Sequence, residues 1–197
     1  MANPTPLQRG LTYHIYNRGI NRESIFVEER NYRYFLQLYA RHVAPVAETY
    51  AYCLLRNYFH FLVRIKDLVS PEDPSRSKEP SQYFSNLFNA YAKAFNKAHD
   101  RTGALFQRPY GRIEVTSDAY FAWLVIYIHH NAQKHGFVDD FQAWPYSSCH
   151  AHLSDKATQL QRSEVLGWFD GPQGFATAHR QEADMHLLAP LVPEDYD

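Results

Sequence analysis

The chain has 197 residues, 45% of them hydrophobic and 21% charged, which is typical of a globular protein and excludes a disordered or rod-like one. The longest apolar run, residues 119–128, is too short to span a membrane, and the N-terminus lacks an export pattern, so we expect a cytoplasmic protein without a membrane partner. Residues 1–112 carry 16 Lys and Arg against 9 Asp and Glu, whereas residues 113–197 carry 4 against 12, which indicates either a basic surface for an anionic partner or ordinary solvated faces.

Hydrophobic periodicity predicts the elements in chain order. They are a strand at 11–18, a helix at 28–42, strands at 50–55 and 58–66, a helix from Ser81 to about Gly103, a strand at 111–116, and a helix from Ser117 or Asp118 to about His135. The first six elements give the βαββαβ order of a ferredoxin-like α+β sandwich, with helices on one face of a mostly antiparallel sheet. Further helical stretches are predicted near 164–169 and 175–185.

The strand at 58–66 alternates most regularly. Its apolar face is predicted to consist of Phe59, Phe61, Val63 and Ile65. The opposite face carries Tyr58, His60, Arg64 and Lys66, with Leu62 as the one aliphatic exception. From spacing alone, a lone histidine such as His60 is more often a structural residue than a ligand.

The helix after the last strand carries two kinds of side-chain stripe. Its core face is predicted to consist of Phe121, Leu124, Val125 and Ile128. A polar and aromatic stripe runs along the edge of that face through Tyr120, Tyr127, Asn131 and Lys134. Periodicity alone favours Tyr127 as an amphipathic flank of the helix, with a packed ring and a solvated hydroxyl.

Five segments resemble, in this order, those of the single-tyrosine HUH transposases, and the REP-associated tyrosine transposases are the closest group. The segments are YHIYNRG at 13–19, AYCLLRNYFHFLV at 51–63, GALFQR at 103–108, YIHHNAQKHGFV at 127–138 and WPYSS at 144–148. The similarity covers roughly residues 8–152, which we expect to form the transposase-like domain. Residues 153–197 are then expected to form a helical, acidic C-terminal tail.

This resemblance implies a protein that binds single-stranded or hairpin DNA and cleaves and rejoins it through a 5′-phosphotyrosine. Tyr127 matches the nucleophile on the helix that follows the sheet. The resemblance also implies one divalent metal, Mg²⁺ or Mn²⁺, held by two histidines of the central strand and a polar residue four positions after the tyrosine. His60 and Asn131 match two of these ligands. Relatives occur as monomers and as dimers that exchange tyrosines, so a homodimer stays open.

The sequence departs from the pattern at the first metal-binding histidine, where Tyr58 stands. A neutral phenol is a poor ligand beside an imidazole, so we expect weakened metal binding. Three outcomes stay open: a weak site of His60, Asn131 and water; a replacement ligand such as His14 or His130; or a protein that binds DNA hairpins without cutting them.

Basic residues on the predicted sheet ends and on one helix stripe are the candidates for DNA contact. They are Arg18, Arg22, Arg56, Arg64, Lys93, Lys97, Arg108 and Arg112. We expect contacts to phosphate to dominate. A ferredoxin-like module without a nucleic-acid role is a further alternative, and salt-dependent binding to single-stranded DNA would exclude it.

Overall fold

The computed structural model describes residues 5–67 and 79–181. These ranges contain β1 (Thr12–Arg18), α1 (Glu29–His42), β2 (Ala47–Leu55), β3 (Tyr58–Ile65), α2 (Pro80–Ala98), β4 (Gly111–Glu114), α3 (Asp118–Lys134), α4 (Cys149–His152), α5 (Arg162–Trp168) and α6 (Pro172–Arg180). The strand order is β2-β3-β1-β4, and every neighbouring pair is antiparallel. The predicted ferredoxin-like βαββαβ sandwich and the helix after it are therefore confirmed.

Helix α2 differs from its predicted bounds at both ends. It begins at Pro80 rather than after Ser81, because the fixed φ of proline suits the first helical position. It ends at Ala98, well before Gly103, and Asp100 already has a positive φ of 47°. Neither α2 nor any other helix in the described ranges combines the length and the apolar character that a membrane span requires.

Both faces of the sheet are covered by helices. On one face, α1 and α2 bury Phe59 and Phe61 of β3, as predicted. On the other face, α3 buries Tyr58, Leu62 and His60, with exposed fractions of 4%, 0% and 1%. The residues predicted to share this face do share it, but α3 forms a third layer that buries Tyr58, His60 and Leu62.

Helix α3 begins as predicted. The Ser117 hydroxyl caps it by accepting the backbone N–H of Tyr120 at 3.2 Å. The predicted core face, with Leu124 and Ile128 fully buried, packs on the sheet. Tyr120, Tyr127 and Asn131 of the polar and aromatic stripe are buried as well, whereas Lys134 is exposed. Because Tyr127 is only 3% exposed, its predicted position as a flank with a solvated hydroxyl is wrong.

The segment after residue 152 packs against the same layer. Val165 and Phe169 of the α5 region and Phe175 of α6 join the cluster beneath α3. Helix α6 begins at Pro172, earlier than predicted, and its described part ends at Arg180. The rest of the predicted helix and the acidic C-terminus lie outside the described residues, and a domain boundary at residue 152 stays a prediction.

Candidate functional site

The matched residues His60, Tyr127 and Asn131 meet between β3 and α3. The ring centroids of His60 and Tyr127 lie 5.8 Å apart in an edge-to-face arrangement. Asn131, one turn after Tyr127, is fully buried, and its Nδ2 donates to the Tyr127 carbonyl at 3.0 Å. Its Oδ1 accepts the Tyr58 hydroxyl at 3.3 Å. The residue at the lost histidine position is therefore bonded to one of the two matched ligands.

Local periodicity explains why these side chains meet. Residues two apart on a strand share a face, which aligns Tyr58 with His60. Residues four apart on a helix also share a face, which aligns Tyr127 with Asn131. The antiparallel register places Tyr16 of β1 opposite His60, so His14 lies on the same face.

Of the two suggested replacement ligands, His14 lies beside His60 and His130 does not. The His14 Nε2 and the His60 Nδ1 are 2.8 Å apart, within hydrogen-bond distance. The Nε2 of His130 instead donates to the His179 carbonyl at 2.8 Å, on the side of α3 that faces α6. The prediction of His130 as a substitute is therefore wrong, because the helix turns consecutive side chains about 100° apart.

Burial keeps both histidines of the His14–His60 pair neutral. Burial lowers the pKa of His14 to about 3. Burial also lowers the pKa of His60 well below its ordinary value, and His14, His135, Lys134 and Arg18 lower it further. The His60 Nε2 is buried and has no hydrogen-bond partner among the residues that the structure describes. If the His60 Nδ1 donates to His14, that Nε2 carries a lone pair.

These residues do not fit a divalent cation. The donors are one imidazole nitrogen of His60 and one amide oxygen of Asn131, because His14 Nε2 is engaged with His60 Nδ1 at 2.8 Å. The Tyr58 hydroxyl already binds the Asn131 oxygen. Residues 5–67 and 79–181 contain no group of three or more His, Cys, Asp or Glu that could hold a metal. Mg²⁺ requires oxygen ligands, commonly carboxylates, whereas the charged side chains that act on His60 are the cations of Lys134 and Arg18. This environment suits a phosphate better than a cation.

Four of the predicted DNA-contacting residues gather at one end of the sheet. The chain after Arg18 bonds to the β2–β3 turn that carries Arg56, and the Gln107 N–H donates to the Arg18 carbonyl at 2.9 Å. Arg22, Arg56 and Arg108 are exposed there. Arg18 is only 5% exposed, and its guanidinium carbon lies 6.0 Å from the Tyr58 ring centroid, so it belongs to the buried cluster.

Lys93 and Lys97 are exposed on successive turns of α2, as predicted. They continue the stripe of Asn89, whose Oδ1 accepts the Arg108 guanidinium at 3.5 Å. Arg112 is half-buried on β4, with its guanidinium carbon 4.4 Å from the Tyr110 ring centroid. The α2 stripe therefore adjoins the basic end of the sheet.

Arg64 does not belong to this basic surface. In the strand register, Arg64 pairs with Thr12 at one end of β1, whereas Tyr58 pairs with Arg18 at the other. The Arg64 side chain forms an ion pair with Glu48 at 3.4 Å. Arg64 therefore lies apart from the other basic residues, and its contact with DNA stays a prediction.

A second buried histidine chain, which the sequence did not single out, attaches α6 to α3. The His179 Nδ1 donates to the Phe175 carbonyl at 2.8 Å, so its Nε2 accepts the His129 Nδ1–H at 2.8 Å. The His129 Nε2 then accepts the Ser148 hydroxyl at 2.7 Å. Burial lowers the pKa of His129 well below its usual range and that of His179 to about 4. The chain is satisfied only when both rings are neutral.

Comparison with known proteins gives a relative in sequence and solved structures that resemble this chain in fold. No family model matches the chain. A Haemophilus influenzae protein provisionally assigned as a REP-associated tyrosine transposase is 29% identical over 109 residues, which cover 52% of this chain and 59% of that protein. The match thus spans less than two thirds of the relative's length.

Among solved structures, a REP-associated tyrosine transposase bound to a REP hairpin superposes with a TM-score of 0.59 at 18% identity, covering 79% of this chain and 86% of that one. A Deinococcus radiodurans protein provisionally assigned as a transposase covers 71% of this chain and 96% of its own, with a TM-score of 0.39 and 16% identity. The first superposition shows a shared fold.

Proposed function

We propose that this chain, whose motifs and fold resemble those of the REP-associated tyrosine transposases, binds single-stranded DNA hairpins and transfers strands through Tyr127. The proposal depends on one observation: Tyr127 and Asn131 of α3 meet His60 of β3 where α3 packs on the ferredoxin-like sheet. Arg56 and Arg108 at the basic end of the sheet supply contacts to phosphate. A DNA substrate also agrees with the expected cytoplasmic location, and a homodimer stays a prediction.

The proposed reaction is an exchange of ester bonds. The Tyr127 oxygen attacks the scissile phosphorus, the bond to the 3′ oxygen breaks, the phenol loses its proton and the 3′ oxygen gains one. The products are a 5′-phosphotyrosine and a free 3′-hydroxyl, so the bond energy is kept for rejoining. The Lys134 ammonium, 5.3 Å from the Tyr127 ring centroid, and the Arg18 guanidinium supply positive charge for the phosphate. Because Tyr127 is only 3% exposed, attack requires the side chains around it to move aside.

A second function, hairpin binding without cleavage, is favoured by Tyr58. Its hydroxyl occupies the Asn131 oxygen that the resemblance assigns to the metal. Both candidate functions use the basic end of the sheet and the α2 stripe to bind DNA. DNA binding is therefore common to both, and covalent chemistry separates them.

The test uses a hairpin DNA with a single-stranded extension, labelled at its 3′ end because a 5′-phosphotyrosine retains the 3′ part of the strand. The protein is incubated with the DNA in Mn²⁺ or in EDTA and run on a denaturing gel. The proposal expects a shifted adduct from the wild type and from Tyr120→Phe, the matched control on the same helix, and none from Tyr127→Phe.

Three results distinguish the candidates. Salt-dependent hairpin binding without an adduct leaves only the second function. An adduct that persists in EDTA shows that Tyr127 reacts without a divalent metal. Failure to bind the hairpin at low salt contradicts both functions.

A further inference from the structure

We infer that Lys134 and the Trp123 indole take the place of the divalent metal that the resemblance implies, by binding the scissile phosphate beside Tyr127. This inference rests on the proposed function. A metal in such a site offsets the negative charge of the phosphate. The donors near His60 do not fit a divalent cation, whereas two side chains that carry N–H donors lie against the Tyr127 ring. The strand transfer therefore requires no divalent metal.

The Trp123 ring stacks on the Tyr127 ring. Both residues belong to α3, one turn apart, and their ring centroids are 5.0 Å apart with an angle of 18° between the planes. Trp123 is 8% exposed, and its Nε1 is buried without a hydrogen-bond partner among residues 5–67 and 79–181. The indole nitrogen is a donor only, and a buried donor without an acceptor is unfavourable. A phosphate oxygen that enters beside Tyr127 supplies the acceptor.

Lys134 brings a full positive charge to the same face of α3. It lies two turns after Tyr127, so the two side chains share a face of the helix. The Lys134 Nζ is 5.3 Å from the Tyr127 ring centroid, and its charge also acts on His60. The Lys134 side chain is exposed, so its ammonium meets the phosphate of an incoming strand. An ammonium offers three N–H donors to phosphate oxygens.

The charges around the site favour an anion. The charged side chains that act on His60 are Lys134 on α3 and Arg18 at the end of β1, and both are cations. Arg18 is only 5% exposed, and its guanidinium carbon lies 6.0 Å from the Tyr58 ring centroid. A divalent cation would add to this positive charge, whereas a phosphate offsets it. The site is therefore suited to hold the phosphate with its own cations.

These groups act where negative charge is held during the reaction. The bond from the Tyr127 oxygen to phosphorus forms while the bond from phosphorus to the 3′ oxygen breaks. The phenol proton passes to solvent, and the 3′ oxygen takes up a proton. Negative charge stays on the two non-bridging oxygens throughout, and the Lys134 ammonium and the Trp123 N–H donate to them. Fixed donors of this kind stabilise a transition state without reorganisation.

The test measures the rate of adduct formation at saturating hairpin DNA with a single-stranded extension, so that a change in DNA affinity does not affect the result. Wild type is expected to form the adduct in EDTA, and Mn²⁺ should not raise the rate. Lys134→Gln and Trp123→Phe should each lower the rate about 100-fold, the usual cost of losing one such donor. Lys134→Arg keeps the charge and should restore most of the rate. Lys156→Gln removes an exposed lysine outside the site, and this matched control should react like wild type.

A neutral linkage separates a direct contact from a packing effect. The length of the DNA in the adduct identifies the cleaved linkage, and a methylphosphonate there replaces one charged oxygen with a methyl group. This substitution should slow the wild type strongly and have little further effect in Lys134→Gln. Equal slowing of both proteins would mean that Lys134 does not bind this phosphate and would overturn the inference.

The remaining outcomes distinguish this inference from the proposed function. An adduct that forms only with Mn²⁺ overturns the inference and leaves strand transfer through Tyr127 intact. An unchanged rate in EDTA for Lys134→Gln or for Trp123→Phe also overturns it, as does an equal loss in Lys134→Arg and Lys134→Gln. No adduct from the wild type in either Mn²⁺ or EDTA overturns the proposed strand transfer as well.

Discussion

Tyr58→His is expected to turn the His60–Asn131 pair into a metal site. The Tyr58 hydroxyl now donates to the Asn131 Oδ1 at 3.3 Å. A shorter imidazole releases this oxygen and adds a nitrogen on the face of β3 that carries His60. The site then has three candidate ligands instead of two, and we expect Mn²⁺ to bind at least tenfold more tightly, since even changes around metal ligands cost about 10- to 100-fold.

Two opposing effects on the stability of Tyr58→His allow Mn²⁺ binding to be followed through the melting temperature. Tyr58 is 4% exposed and packs edge-to-face on His60 and His135, so the metal-free variant should lose on the order of 1–3 kcal/mol of unfolding free energy. Mn²⁺ at about 100 times its Kd adds about 2.7 kcal/mol. At about 2–4 °C per kcal/mol for a chain of this size, the Tm should rise by roughly 5–10 °C on adding Mn²⁺.

The assay is thermal unfolding of wild type, Tyr58→His and Tyr58→Phe, each with EDTA and with Mn²⁺. Tyr58→Phe keeps the ring but cannot ligate, so its Tm should respond to Mn²⁺ as little as that of wild type. A folded Tyr58→His protein without a Mn²⁺ response would refute the reasoning and indicate that the positive charges of Arg18 and Lys134 prevent cation binding. If the Tm of Tyr58→Phe responded to Mn²⁺ as much as that of Tyr58→His, looser packing around His60 and not a new ligand would explain metal binding.

Three further predictions concern the DNA surface, the histidine chain and the core. Lys93→Glu with Lys97→Glu should weaken hairpin binding and reduce the slope of log K against log salt by about 2, and an unchanged affinity at low salt would remove α2 from the DNA surface. The pKa of His179 falls from 6.5 to about 4 on folding, so the unfolded chain binds more protons between these values. Its contribution to stability is complete above pH 6.5 and falls by about 2 kcal/mol at pH 5. In urea unfolding at pH 7.5 and 5, wild type should therefore lose more stability than His179→Phe, while the other buried histidines destabilise both proteins at pH 5. Phe35→Ala should cost about 3–5 kcal/mol in the same assay because Phe35 is fully buried, whereas Tyr34→Ala, at a 41% exposed neighbour, should cost less than about 1 kcal/mol.

The order of the elements and the residues that share a face follow from the sequence alone. Period-two alternation placed Tyr58 with His60, and helical spacing placed Tyr127 with Asn131, because both periods depend only on the local backbone. The Ser117 cap was equally local. The resemblance to the REP-associated tyrosine transposases, carried by five segments of the chain, was confirmed by the relatives in sequence and fold.

What lies opposite each face depends on contacts between elements that are distant in the chain. The bond between Tyr58 and Asn131, the choice of His14 over His130 beside His60, and the burial of β3 on both sides all join residues that are distant in the chain. Strand order and the docking of α3 set these contacts, and a periodic pattern gives the direction of a side chain but not the element that covers it. For the same reason, the sequence could not show that the cations of Lys134 and Arg18 act on His60, which is the feature that disfavours a divalent metal there.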